Sequence, residues 1–152
     1  MRRRKEKVMY LEQLSVFMEN RVSRLNEVLL ALKECKVNVL SLSLADSSEY
    51  GVLRLIVDNP EKGRQVLKDG GFSAMLTRVL AVKLPNEVGT LQGVLALLGE
   101  AGMNVEYMYV LANAKEFSGM IIKTGNPEEA AKLLKDKGIE FVKAEEVGKI
   151  GA

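Results

Sequence analysis

Residues 83–91 read Lys83-Leu84-Pro85-Asn86-Glu87-Val88-Gly89-Thr90-Leu91, and this stretch decides the fold of the chain. The apolar run before Pro85 predicts a strand, which Pro85 and Asn86 end because proline lacks a ladder donor and asparagine suits a turn. Gly89 permits a backbone conformation closed to most residues, and apolar residues recur at helical spacing from Leu91. The stretch therefore predicts a strand that turns sharply into a helix, whose N-terminal N–H groups suit a small anion such as a carboxylate.

The same passage occurs twice in the chain. Residues 16–25 align with residues 82–91 at an offset of 66 positions, as between Leu25 and Leu91. After a two-residue insertion the match resumes, and it reaches Lys135-Asp136. A repeat this long indicates a duplicated domain rather than a solenoid unit. We therefore expect domains at 13–77 and 78–147, between a basic N-terminal tail and lead-in at 1–12 and a C-terminal tail at 148–152.

Each half predicts the element order βαββαβ, with an asparagine as N-cap and a proline at the first turn of its second helix. Four strands are expected in each half, at Gln13–Met18, Val37–Leu44, Gly51–Val57 and Phe72–Thr77, and at Val79–Leu84, Met103–Leu111, Gly119–Thr124 and Ile139–Ala144. The expected fold is α+β: two tandem ferredoxin-like units, each an antiparallel sheet with its helices on one face.

Charge and hydropathy exclude several classes of protein. The chain carries a net charge of +2, and its tail from Arg2 to Lys7 is so basic that the remainder is slightly acidic. This tail is either a solvated terminus or an arm for nucleic acid, and we expect no nucleic-acid partner. An RNA-binding module on this fold would carry aromatic residues on its third strand, but Gly51–Val57 and Gly119–Thr124 contain none. No apolar run approaches the ~20 residues of a membrane span.

Cysteine and histidine usage argues against catalysis. Cys35 is the only cysteine and the chain has no histidine, so an internal disulfide is excluded and a cytoplasmic location fits. We expect Cys35 to be a small core residue on the stripe of the first helix. No nucleophile has a base and no carboxylates cluster. The sequence therefore predicts a protein that is not an enzyme and has no metal or cofactor.

Two tyrosines alternate with apolar residues in the second strand of the second half. Tyr107 and Tyr109 share one face, and Met108 and Val110 share the other. If Met108 faces the helices, both tyrosines project from the bare face of the sheet. They then form either a contact surface or a pair of separate surface residues.

Several stretches of this sequence resemble those of the ACT domains, a family of regulatory modules that bind small ligands, mostly amino acids. The resemblance rests on residues 85–91 as the strand-to-helix loop and on Ala101-Gly102-Met103-Asn104-Val105 as the helix-to-strand passage. Glu19-Asn20-Arg21 and Val37-Asn38-Val39 match the same two places in the first half. The likeness covers about Gln13 to Val147 and is greatest to small stand-alone tandem ACT proteins.

The resemblance implies a ligand between two domains, where the loop of one domain meets the second strand of its neighbour. The implied binding residues are Asn86, Glu87, Val88, Gly89, Thr90, Leu91 and Asn104 in the second half, and Asn20, Arg21, Val22, Ser23 and Asn38 in the first. The asparagines would hydrogen-bond the ligand, and the backbone N–H groups near Val22-Ser23 and Val88-Gly89 would receive its carboxylate. The alternative is that the four asparagines serve only turns and caps.

The first half departs from the family pattern at one position. Ser23 stands where the second half has Gly89, and it either blocks a close backbone approach or caps the helix. We therefore expect a regulatory protein that binds an amino acid and forms a homo-oligomer, at least a dimer. The alternative is a ligand-free interaction subunit that uses sheet pairing to assemble with itself or with an enzyme.

Overall fold

A computed structural model gives the structure and describes residues 10–19, 21–46 and 49–149. Its elements are β1 (Tyr10–Glu19), α1 (Arg24–Glu34), β2 (Val39–Asp46), β3 (Tyr50–Val57), α2 (Pro60–Asp69), β4 (Ser73–Pro85), α3 (Thr90–Glu100), β5 (Val105–Asn113), β6 (Phe117–Thr124), α4 (Pro127–Asp136), β7 (Glu140–Phe141) and a 3-10 helix (Ala144–Lys149). The pairs β1–β3, β2–β3, β4–β6, β5–β6 and β4–β7 are antiparallel. The prediction of an α+β fold built on antiparallel pairing is confirmed.

The chain divides into two compact units. The first unit is Glu12–Thr77, and the described part of the second is 10–11 with 78–149. Strand β4 supplies residues 73–77 to the first unit and 78–85 to the second. The predicted break between the strands Phe72–Thr77 and Val79–Leu84 is therefore wrong. Thr77-Arg78-Val79 contains no glycine, proline or asparagine, so nothing in the sequence ends the strand there.

The first unit has the strand order β2-β3-β1-β4. One face of β1 carries Leu14, Val16 and Met18, which are buried in a single apolar core with Val28 of α1 and Leu67 of α2. Alternation along the strand places these side chains together on the helix-facing side. The opposite face is partly polar: Gln13 donates to the Ser15 hydroxyl at 3.0 Å, which lies 3.0 Å from the Thr77 hydroxyl.

The second unit has the strand order β4-β6-β5, with β7 also paired to β4. Its core joins Leu80 and Val82 of β4 to Val94 of α3 and Leu134 of α4, all of them almost fully buried. The register pairs Leu80 with Ile122, which belongs to the same core. The two units therefore bury equivalent faces of equivalent elements, as expected after duplication.

The predicted N-caps of the second helix in each half are confirmed. The Asn59 side chain accepts a hydrogen bond from the Lys62 amide at 3.2 Å, and the Asn126 side chain accepts one from the Glu129 amide at 3.1 Å. The Glu129 carboxylate accepts from the Asn126 side-chain amide at 3.1 Å. Each asparagine thus satisfies one of the amides that a helix start leaves without a partner.

The last strand is shorter than expected. The sequence predicts it over Ile139–Ala144, but β7 is only Glu140–Phe141 and a 3-10 helix follows. The Glu146 carboxylate accepts from the Lys143 amide at 3.0 Å and lies 3.3 Å from the Lys83 ammonium. The hydrogen bond from the Lys143 amide, and after it the Lys83 ammonium, holds the pKa of Glu146 below its usual range against the effect of partial burial. The Lys143 amide therefore donates to this carboxylate, whereas in a longer strand it would donate to a neighbouring strand.

Cys35 is exposed, so its prediction as a core residue is wrong. Helix α1 ends at Glu34, and Cys35 is its C-cap. The apolar stripe of the helix therefore ends one turn earlier, at the buried Leu32.

A buried hydroxyl in the second core has no partner. Thr124 is fully buried, and its Oγ1 has no hydrogen bond among the described residues. Thr124 pairs with Val105 across β5 and β6, as Val57 pairs with Val39 across β2 and β3 in the first unit. A valine of similar shape therefore occupies the equivalent place in the repeat. A buried hydroxyl without a partner costs stability relative to such an apolar group.

Thr124→Val should raise the free energy of unfolding by about 1 kcal/mol, because it removes the uncompensated desolvation of one hydroxyl. The matched exchange Val57→Thr should lower it by about 1–3 kcal/mol. Urea unfolding followed by circular dichroism measures both changes. A Thr124→Val protein less stable than the parent would mean that the hydroxyl has a partner.

Candidate functional site

The strand-to-helix turn of the second unit is held by its own hydrogen bonds. Strand β4 ends at Pro85, and Gly89 precedes α3 in the left-handed conformation, with φ 89° and ψ −4°. The Glu87 amide donates to the Pro85 carbonyl at 2.8 Å. The Thr90 hydroxyl donates to the same carbonyl at 2.9 Å and to that of Glu87 at 3.0 Å. Thr90 therefore stabilises the turn rather than presenting its hydroxyl to a ligand.

Two amides of this turn are available to a ligand. The Val88 and Gly89 N–H groups have no hydrogen-bond acceptor in the part of the chain that the structure describes. The Val88 side chain is fully exposed, and a Cβ placed on Gly89 would meet no atom within 4 Å. The turn thus leaves open space beside two amides at a helix N-terminus, where the helix dipole favours negative charge.

Asn86 fastens this turn to the hairpin between β5 and β6. Its side-chain amide donates to the carbonyls of Ala114 at 2.9 Å and Lys115 at 3.1 Å. Its side-chain oxygen accepts from the Ser118 hydroxyl at 2.8 Å, and its backbone amide donates to the Glu116 carbonyl at 3.1 Å. Both ends of the Asn86 side chain are therefore occupied within the protein.

The other predicted residues of this turn have different environments. Leu91 is half-buried and packs against the second core, so it anchors α3. Glu87 is exposed on the turn. Among the predicted binding residues of this turn, Val88 and Gly89 are the ones whose backbone N–H groups have no acceptor among the described residues.

The corresponding turn of the first unit has the same backbone but a different residue. Ser23 precedes α1 with φ 70° and ψ −1°, and its side chain makes no capping hydrogen bond. Of the two alternatives, capping by Ser23 is therefore wrong. A non-glycine residue in this conformation is strained. Val22 is exposed at the tip of the turn, as Val88 is, and Asn20 lies outside the described residues.

Charged side chains beside this first turn pair with one another. The Glu27 carboxylate lies 2.8 Å from Arg24 and 3.4 Å from Arg21, which is also 3.6 Å from Glu19. The hydrogen bond from Arg24 is the main cause that holds the pKa of Glu27 below its usual range, and Arg21 adds to it. The Arg24 guanidinium also lies 4.2 Å from the centre of the Phe72 ring. Both arginines are thus engaged, a network that sequence reasoning missed.

The start of the second strand in the first unit lies in a groove. Asn38 is exposed, and its backbone amide donates to the Asp58 carboxylate at 3.0 Å. The groove runs between α1 and β2 and has a volume of about 580 Å³. Its lining residues are Leu29, Lys33, Lys36, Val37, Asn38, Val39 and Leu42. Asn104, the counterpart of Asn38 in the second unit, is likewise exposed.

Tyr107 and Tyr109 lie on the face of the second unit opposite its helices. Both are half-buried and pair with Lys123 and Ile121 of β6, while Met108 packs against the helix-side core. Their role as a contact surface remains a prediction.

Two kinds of feature are absent from the described residues. No helix there is long and apolar enough to cross a membrane. Over the same ranges, no group of three or more histidine, cysteine, aspartate or glutamate side chains is arranged to hold a metal ion.

Similar solved structures agree with this fold. A structure from Bacteroides thetaiotaomicron is 34% identical, with a TM-score of 0.87, and the match covers 95% of this chain and 99% of that one. The regulatory subunit of aspartate kinase from Thermus thermophilus is 17% identical, with a TM-score of 0.58. That match covers 85% of this chain and 93% of the kinase subunit. The equivalent subunit from Thermus flavus is 16% identical, with a TM-score of 0.58, and the match covers 85% of this chain and 92% of that subunit. At such identities, the two kinase subunits show a shared fold alone.

Family comparison extends this agreement to the whole described chain. No curated protein matches the sequence. The model of the ACT domain pair matches residues 9–150, which include both strand-to-helix turns and the groove. The chain therefore belongs to the family of ACT domain pairs.

Proposed function

We propose that this chain is a regulatory protein that binds an amino acid, built from two βαββαβ domains at 13–77 and 78–147. The ligand lies between domains, where the turn from Asn86 to Leu91 meets the second strand of a neighbouring domain in the assembled protein. The observation that carries this proposal is the pair of amides at Val88 and Gly89, which have no acceptor among the described residues and border open space.

The α-carboxylate of the ligand is the group that these amides receive. Two N–H donors and the positive end of the α3 dipole act on the same anion, which favours a carboxylate over a neutral group. Hydrogen bonds to a charged acceptor are stronger than neutral ones. The site therefore recognises the part that all amino acids share, and the neighbouring domain supplies selectivity.

Asn86 positions the turn in this proposal rather than contacting the ligand through its side chain. Its bonds to Ala114, Lys115 and Ser118 hold the turn against the β5–β6 hairpin. A turn held in this way has its donors in place before the ligand arrives, so less ordering entropy is lost on binding.

The neighbouring domain contributes its second strand, with Asn38 or Asn104 as the polar contact. Asn38 is the better supported of the two because it lines the groove beside α1. An exposed asparagine side chain offers two N–H donors and an acceptor, which suit the carboxylate and the ammonium group of an amino acid.

The second-unit turn binds better than the first in this proposal. Gly89 takes the left-handed conformation without strain and leaves the amides open, whereas Ser23 adds a side chain at the equivalent place. Arg21 and Arg24 are already paired with Glu27, so an anion at the first turn would compete with an internal carboxylate.

Self-association through strand β2 would bring domains together. Strand β2 ends the order β2-β3-β1-β4, and Leu42 and Leu44 on it are each 47% exposed. An edge strand with exposed apolar side chains is a surface on which another strand pairs. The tyrosine pair at Tyr107 and Tyr109 is a second candidate contact surface.

The alternative function is a ligand-free interaction subunit. The exposed apolar side chains of β2 favour it, because sheet pairing needs no small molecule. A thermal-shift screen against the standard amino acids separates the two functions, since a ligand that binds only the folded state raises the melting temperature.

Gly89→Ala should weaken binding of the amino acid found in that screen by about tenfold or more, because its Cβ enters the space beside the two amides. Gly138→Ala is the matched control: Gly138 has φ 82° and also has open space around it. Both variants should lose about 1 kcal/mol of stability to left-handed strain. Calorimetry that finds equal affinities in the two variants would place the site elsewhere.

The parent chain should be at least a dimer by light scattering at micromolar concentration. Changing Leu42 and Leu44 together to glutamate should lower the average mass, because like charges would meet across paired edge strands. Met75→Glu, at a methionine that is 51% exposed on β4, is the control and should leave the mass unchanged. A monomeric parent would contradict the proposed assembly.

A further inference from the structure

The groove of the first unit carries two lysines that form no salt bridge with a described residue. Lys33 and Lys36 both line it, and neither ammonium group has a hydrogen bond or salt bridge to any described residue. Among the other described lysines, only Lys83 and Lys123 form salt bridges, with Glu146 and Glu106 at 3.3 Å.

Lys36 occupies a position where a side chain is costly. It follows α1 with φ 60°, in the left-handed conformation, and its amide donates to the Lys33 carbonyl at 3.0 Å. In the repeat, 66 positions later, Gly102 follows α3 with φ 73° and makes the same bond to Gly99. Glycine is the residue that ends helices in this way without strain. A lysine kept at a strained position points to a use for its side chain.

The second unit lacks both cations at the equivalent places. Lys33 and Lys36 align with Gly99 and Gly102, at the same offset of 66 positions. Lysine is favoured near a helix C-terminus by the dipole, but α3 ends without a basic residue in its last turn. The helix end therefore does not require this pair of charges.

The rest of the groove suits a short carbon chain. Leu29, Val37, Val39 and Leu42 supply apolar surface, and Asn38 supplies amide donors and an acceptor. The groove is open to solvent and has a volume of about 580 Å³, enough for an amino acid. An apolar floor with two unpaired ammonium groups is complementary to a small molecule that carries an acid on a short chain.

We propose that the groove selects an amino acid whose side chain bears a second carboxylate. Lys33 and Lys36 bind that side-chain carboxylate, while the α-carboxylate is held by the Val88 and Gly89 amides of a neighbouring domain. This inference rests on the proposed function, because the groove alone holds only one end of the ligand. In this proposal, the glycine turn of one half binds the α-carboxylate and the lysine groove of the other half binds the side-chain carboxylate.

The test compares acids with their uncharged amides by calorimetry on the full chain. L-aspartate or L-glutamate should bind about tenfold or more tightly than L-asparagine or L-glutamine, the loss expected when a charged hydrogen bond is removed. Lys33→Gln combined with Lys36→Gln should bring acid and amide to similar affinity. Lys36→Arg should keep the preference, since it retains the charge.

Lys36→Gly separates the lysine side chain from the backbone strain. It should raise the melting temperature by about 2–4 °C in a chain of this size, because glycine adopts the left-handed conformation without strain. The same change should weaken acid binding. The reciprocal control Gly102→Lys should lower the melting temperature by a similar amount and leave the acid preference unchanged.

Four outcomes would overturn the inference. Equal binding of acid and amide by the parent does so, and so does an acid preference that survives Lys36→Gly and the double glutamine variant. Binding of only neutral or basic amino acids overturns it while leaving the proposed function intact. Binding of no amino acid at all overturns both.

Discussion

Each half of this chain depends on one left-handed residue between a strand and a helix. Gly89 and Ser23 have nearly the same φ, 89° and 70°, at the start of α3 and α1. This conformation lets a helix begin after only four intervening residues from the end of a strand, so the helix can pack on the sheet that the strand belongs to. In the second half, the exposed Val88 and Gly89 just before α3 have amides without an acceptor among the described residues. Core packing and the exposure of the turn therefore depend on the same dihedral angle.

The two halves meet this constraint at different cost. The second half uses glycine both before α3 and after it, and there the turn amides are open. The first half keeps Ser23 and Lys36 in left-handed conformations that glycine would adopt without strain. The repeat therefore contains one strand-to-helix turn without left-handed strain and one with it.

Local signals in the sequence were enough to predict most elements, and the errors have physical causes. The caps at Asn59 and Asn126 act over three residues, so they could be read directly. The continuous strand β4 was missed because we expected a break where one repeat ends and the next begins, although a strand can run across such a boundary. The bonds of Asn86 join residues 28 to 32 positions apart, beyond the reach of any local pattern. Serine is not a residue that indicates a left-handed conformation, so only the alignment of Ser23 with Gly89 predicts its angle.

The central claim is that the Val88 and Gly89 amides receive a carboxylate. Nitrogen-15 NMR of the labelled full chain, titrated with each standard amino acid in turn, tests this directly because every amide reports its own environment. We predict that one amino acid shifts the Val88 and Gly89 resonances, together with that of Asn38, and leaves those of Gly71 and Gly138 in place. Shifts confined to the sheet face around Tyr107 and Tyr109, or no shifts with any amino acid, would contradict the account.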